Sequence, residues 1–170
     1  MILQEKLQML RKKNDYSQEQ LADIDIDETI HFLIRAKQNT YSGHAAEIKP
    51  SRVASHDLKY EEGNHLYYDT YLGGQNFSGE EAIWLKENPI WCMNYSGRVL
   101  GEKFNGDFLK EVLHHVPYEM PFRGPAIYQK GDYNYHCNVE GEFVWYHGYE
   151  EIFYLDKKIY ECYFHGGVVK

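Results

Sequence analysis

Residues 142–167, EFVWYHGYEEIFYLDKKIYECYFHGG, read as one long β-hairpin, and the fold follows from how its two arms pair. With Asp156 and Lys157 as a two-residue turn, strict antiparallel pairing sets Leu155 against Lys158, Tyr154 against Ile159, Phe153 against Tyr160 and Ile152 against Glu161. Side chains alternate along a strand. One face then carries His147, Tyr149, Glu151, Phe153, Tyr160, Cys162 and Phe164, and the other carries Glu150, Ile152, Tyr154, Ile159, Glu161, Tyr163 and His165. Each face keeps an acid among aromatics, so one of Glu150 and Glu151 is expected to be partly buried and to need a partner. Tyrosine hydroxyls and backbone amides would satisfy it; a ligand pocket or a catalytic carboxylate is the sharper alternative.

Working back from the hairpin, residues 128–139 alternate polar with aromatic, as a strand does, and 121–125 form a loop between two prolines. Residues 104–116 are the clearest helix. Asn105 can cap it, Phe108, Leu109, Val112, Leu113 and Val116 make one apolar face, and Pro117 stops it. Residues 58–62 and 65–72 flank Gly63 and Asn64 as a hairpin; 82–85 and 90–95 flank Lys86, Glu87, Asn88 and Pro89 as another. A polar connection covers 43–56, and 27–39 form a helix with Ile30, Leu33, Ile34 and Lys37 at helical spacing. The expected fold is α+β: a curved, mostly antiparallel sheet of six to eight strands covered on one side by two helices, with short helices at the N-terminal end.

The chain has 170 residues, enough to close a core, and a net charge of −8, with 26 acids against 18 basic residues. That balance works against non-specific attraction to nucleic acid or anionic lipid. Cys92, Cys137 and Cys162 are odd in number and lack CxxC spacing, so they are expected to be reduced core thiols. The opening MILQEKLQML is broken by charge and amide, and no apolar run approaches the ~20 residues of a membrane span, which predicts a cytoplasmic protein with no membrane partner. Of 16 tyrosines, 14 lie from Tyr60 onward, so a concave sheet would have hydrogen-bond donors on its walls.

Two resemblances add to this. Leu3, Leu7 and Leu10, then Ser17 with Gln20 at capping-box spacing, lie in LQEKLQMLRKKNDYSQEQLAD, which resembles the first helix and the start of the second in helix-turn-helix repressors of the Xre/Cro type. Those repressors read DNA with a further recognition helix. Here the chain continues as DIDIDETIHFLIRAKQNTY, with four acids and no such helix, so residues 1–24 are expected to be a truncated module, a packing or homodimer arm rather than a DNA reader, ahead of one α+β domain over 25–170. From His31 onward, FLIRAKQNTYSG, DTYLGGQNFSGEEAIW, PIWCMNYSGRV, GDFLKEVLHHVP, YHCNVEG, GYEEIFY and YECYFHGG are similar to a small bacterial family, domain of unknown function number 5680, over about four fifths of the chain. That family has no established reaction or ligand; some members carry a helix-turn-helix and are described as regulators, so the resemblance implies a transcriptional-regulator setting and no chemistry.

Candidate site residues come from polar groups near strand ends. Asp69, Glu80, Glu81, Asn94 and Tyr95 converge if the first two hairpins are neighbours, with turn chemistry as the plainer account. His136 and Glu150 join this ligand-binding set. His136, His147 and His165 with Glu150 and Glu161 lack the spacing of a metal site, so no metal and no cofactor are expected. There is no GxSxG, GxGxxG or Walker loop. The leading reading is therefore a small-molecule-binding or sensing domain. The alternatives are an enzyme using Glu80, Glu81 or Glu150 as general acid or base, or an interaction domain marked by an exposed Trp84, Trp91 or Trp145.

Overall fold

The structure, a computed structural model, describes residues 24–169. The helices expected within residues 1–24 lie outside the described residues, apart from Ile24. The rest is α1 (Ile26–Gln38), β1 (His56–Glu62), β2 (His65–Gly73), β3 (Asn76–Leu85), β4 (Asn88–Val99), α2 (Gly106–His114), β5 (Ile127–Lys130), β6 (Tyr133–Glu142), β7 (Trp145–Tyr154) and β8 (Lys157–Val168). The eight strands form one antiparallel sheet in the order β1-β2-β3-β4-β8-β7-β6-β5, so two four-stranded meanders meet where β8, the last strand, pairs with β4.

Each element has a local cause. Asp25 caps α1 by accepting from the Glu28 amide at 3.0 Å, and Asn105 caps α2 by accepting from the Asp107 amide at 2.9 Å. Phe32, Leu33 and Ala36 of α1 and Leu109 and Val112 of α2 share one core with Tyr67, Ile83, Trp91, Met93, Tyr135, Ile152 and Tyr160 from the sheet. Directly paired residues share a face, and the pairings place these seven strand residues together on what we term the inner face. Cys137 and Cys162 are buried, Cys92 is half-buried, and all three are free. Trp91 is buried and stacks on Phe143, whereas Trp145 is exposed.

The decisive hairpin departs from the expected pairing by one residue. Leu155, at φ 53, and Asp156 make the turn, held by the Leu155 amide donating to the Asp132 carbonyl at 2.8 Å. A bulge follows Ile152, which then faces Tyr160, while Glu151 faces Glu161 and Glu150 faces Cys162. A shift of one residue moves a strand's whole side-chain set to the other face. Tyr160, Cys162 and Phe164 therefore join Glu150 and Ile152 on the inner face, and Glu161, Tyr163 and His165 join Glu151 outside. Residues 128–139 likewise prove to be part of a second hairpin, β5 and β6, turning at Gly131 with φ 58.

Between β3 and β4 the turn is shorter than the four residues expected: Lys86 and Glu87 both adopt left-handed backbone, φ 49 and 68. Such a turn favours Asn-Gly. The double substitution Lys86→Asn and Glu87→Gly is expected to stabilise the fold by about 1 kcal/mol, read as a rise of roughly 2–4 °C in the melting midpoint. An unchanged or lower midpoint would count against this turn geometry.

Candidate functional site

The strand register decides which polar residues meet. Asp69 on β2 faces Glu81 on β3; Tyr95 on β4 faces Gly79 on one side and Phe164 on the other. Glu150 on β7 faces Cys162, and Tyr160 and Tyr135 flank Ile152 one pair further along. Asp69, Glu81, Tyr95 and Glu150 thus all lie on the inner face, and all four are buried. The other three expected site residues do not join them. Glu80 pairs with Asn94, Asn94 with His165, and His136 with Glu151, which puts Glu80, Asn94 and His136 on the outer face. Adjacent residues such as Glu80 and Glu81 point to opposite sides of a strand, so only one of that pair can reach the site. The same geometry separates Glu150 from His136, His147 and His165, which lie outside.

Two cations complete the inner cluster. Lys37, in the last turn of α1, is hydrogen-bonded to Glu81 Oε2 with both side chains buried. Arg123, in the loop between α2 and β5, donates to Glu150 Oε1 through Nη2 at 2.8 Å and Nε at 3.1 Å, and its Nη1 lies 3.6 Å from Glu81 Oε1. Glu150 also accepts from the Tyr135 hydroxyl at 2.6 Å and the Tyr160 hydroxyl at 2.8 Å. It is thus the buried acid among aromatics, held by tyrosine hydroxyls and a guanidinium. The Tyr95 hydroxyl donates to Asp69 Oδ1 at 2.6 Å, and the Arg123 guanidinium stands over the Tyr95 ring at 5.3 Å.

Burial sets the protonation of this cluster. It lowers the Lys37 pKa against the pull of Glu81. It is also the largest influence on Arg123, where it opposes the charge, but the surrounding groups, Glu150 first among them and then Tyr160 and Cys162, together leave that pKa raised. Asp69 is pushed up to about 7, first by burial and then by the Glu81 charge, despite the Tyr95 hydrogen bond and the two cations. Tyr95, Tyr135 and Tyr160 are raised by burial and stay neutral donors.

Beside this network lies a cavity of about 230 Å³ walled by Tyr41, Tyr71, Phe77, Tyr95, Phe104 and Tyr160, with Asp69 and Arg123 as its buried ionisable groups and His56 among its lining residues. A polar void of about 20 Å³ among Lys37, Thr40, Ser42 and Glu81 shares Tyr41, Asp69 and Arg123 with it. Gly79 makes room for the walls: a Cβ there would stand 2.6 Å from both Tyr71 Cβ and the Tyr95 ring. A larger opening of about 640 Å³ lies elsewhere, along Ser78, Ser96 and the exposed Tyr163. It is a trough whose charged members, Arg98 and Glu161, already pair at 2.7 Å. Convergent polar groups within apolar walls make the smaller cavity the candidate site.

Sequence reasoning missed Lys37, Arg123, Tyr135 and Tyr160 as site residues. Lys37 had a visible signal: it continues the apolar stripe of α1 from Ile30 and Leu33, where a cation must find an acid. Arg123 sits in a loop between Phe122 and Gly124, where no periodicity exists to reveal its direction.

Among the described residues, no helix is long and apolar enough to cross a membrane. Comparison with curated proteins gives no match, and comparison with solved structures gives none either. A family model, "Domain of unknown function (DUF5680)", matches residues 69–169, which is more than half of the chain and narrower than the span from His31 that its motifs suggest. The matched stretch begins at Asp69 and includes Glu81, Tyr95, Arg123, Tyr135, Glu150 and Tyr160, leaving Lys37 outside it. On that match the chain belongs to the DUF5680 family, a domain of unknown function.

Proposed function

We propose that the chain is a small-molecule-binding domain whose ligand occupies the aromatic cavity, with its polar end on Asp69 and Arg123. The observation that supports this is a cavity of about 230 Å³ with six aromatic walls and two buried ionisable groups. A hydrophobic core without a ligand gains nothing from keeping such a space empty, because an unfilled cavity forfeits packing contacts. In this reading the sheet curves around the cavity and α1 and α2 close it. The helix-turn-helix-like residues 3–24 would couple occupancy to a partner, as in a sensing module, without reading DNA themselves.

A metabolite library screened by thermal shift on the full chain tests the reading. A binder is expected to raise the midpoint, and Tyr95→Phe, which removes the hydroxyl on Asp69, is expected to weaken that binder roughly tenfold. Binders that are indifferent to Tyr95→Phe and to Asp69→Asn would place the ligand elsewhere.

One observation favours a second reading, an enzyme. An acid with a pKa of about 7 in a cavity can both accept and return a proton near neutral pH, which is what general acid–base chemistry asks of a carboxyl group. The group for this role is Asp69. Glu81 and Glu150 are engaged by Lys37 and Arg123, and Glu80 is on the outer face. A binder that is consumed by the wild type but not by Asp69→Asn would select this reading over simple sensing.

A further inference from the structure

We propose that the cavity takes a small organic cation, an amine whose ammonium group sits on Asp69 and whose carbon skeleton lies against the tyrosine and phenylalanine walls. This rests on the reading of the cavity as a ligand site and adds the charge class of the ligand.

The inner cluster holds three carboxylates, Asp69, Glu81 and Glu150, against two cations, Lys37 and Arg123. Two of the carboxylates are matched. Glu150 has the two Arg123 contacts and two tyrosine hydroxyls, and Glu81 has Lys37 with Arg123 nearby. Asp69 is the unmatched member. It is 5% exposed, and among the described residues its hydrogen-bond donor is the Tyr95 hydroxyl on Oδ1, with no cation within ion-pair distance. Its other oxygen is left for whatever fills the cavity. A third positive charge there would complete the set, and buried charges are tolerated when paired.

The walls agree. Tyr41, Tyr71, Phe77, Phe104 and Tyr160 present aromatic surface around a single carboxylate, and aromatic faces attract organic cations. An anionic ligand fits poorly, because Arg123 Nε and Nη2 are committed to Glu150, its Nη1 faces Glu81 and the lining His56 is paired with Glu47, so the anion would meet Asp69 without a free cation. A neutral ligand would supply no counter-charge, leaving Asp69 protonated below about pH 7 and unmatched above it.

Binding is then linked to a proton. The groups facing Asp69 are Glu81 from β3, Tyr95 from β4, Tyr67 and Tyr71 from its own strand, Lys37 and Tyr41 from α1 and the loop after it, and Arg123 from the loop before β5. Without a ligand Asp69 carries a proton up to about pH 7. An ammonium group expels that proton, so an amine binds more weakly below pH 7.

Benzylamine, benzyl alcohol and benzoate, near-isosteric probes of different charge, separate the possibilities by calorimetry on the full chain at pH 6 and pH 8. Benzylamine is expected to bind best, about tenfold more tightly at pH 8 than at pH 6, with proton release at pH 6. Asp69→Asn, which keeps an acceptor for Tyr95, is expected to lose at least tenfold in affinity and all of the pH dependence while still unfolding cooperatively. Tighter binding of benzyl alcohol or benzoate overturns the cation assignment and leaves the cavity reading standing. Benzylamine binding that ignores pH in the wild type overturns it too, whatever the variant does. No binding of any probe at millimolar concentration overturns both.

Discussion

Replacing Arg123 with methionine is expected to lower the unfolding free energy by about 3–5 kcal/mol, the largest loss from any single change in the cluster, measured by urea denaturation at pH 7. Arg123 is buried and touches two carboxylates on different strands, β3 and β7. Removing it leaves Glu150 fully buried with two tyrosine hydroxyls but no cation, and desolvation of that charge is then uncompensated. Size is not the reason, because methionine fills much of the same volume and keeps the apolar stem. The double variant Arg123→Met with Glu150→Met separates the causes. It is expected to recover much of the loss, because no buried charge is stranded, although Tyr135 and Tyr160 then lose an acceptor. A double variant as damaged as the single one would mean that Arg123 acts through packing instead.

Asp69→Asn is expected to do the opposite, making the folded protein more stable at pH 8 by up to about 4 kcal/mol. In the fold Asp69 titrates at about 7, whereas its ordinary value is 3.8. Between those values the folded chain holds a proton that the unfolded chain has lost, so stability falls as pH rises through the window and the full cost is present above pH 7. Asparagine has the shape of the protonated acid, accepts the Tyr95 hydrogen bond and carries no charge. Comparison of urea midpoints at pH 5 and pH 8 checks this: the wild type should lose stability relative to the variant across the interval. Parallel midpoints would show that Asp69 is ionised throughout, with some other cation beside it. Under the reading proposed above, the ligand or the proton transfer at Asp69 is what would offset that cost.

These effects also show what could be read from the residues alone. The alternation of acids and aromatics in β7 marks one of Glu150 and Glu151 as buried without any knowledge of its partner; that it is Glu150 follows only from the register that sets it among Tyr146, Ile152 and Tyr160. The choice between Glu80 and Glu81 was not legible. In β3 the residues Glu81, Ala82 and Ile83 are all buried, so the two-residue period that would assign faces is erased. Register was the other blind spot. Asp156-Lys157 and Leu155-Asp156 are both credible two-residue turns, and the local sequence does not contain the Asp132 carbonyl that fixes the second. Lys37 and Arg123 illustrate a third difficulty: ion pairs across 44 and 27 residues depend on how elements dock, and spacing along the chain carries no trace of it.

The seam between β4 and β8 has a consequence for synthesis on the ribosome. Asp69, Glu81 and Tyr95 emerge on the first meander, but Tyr160 and the backbone that joins that meander to Glu150 arrive with the eighth strand. Until then β4 and β7 each present an open ladder, long and rich in aromatics, which is the kind of edge that recruits strands from neighbouring chains. Nascent molecules stalled before Lys157 should therefore be sticky intermediates rather than half-working ones, and chaperone dependence should end abruptly once the closing strand inserts.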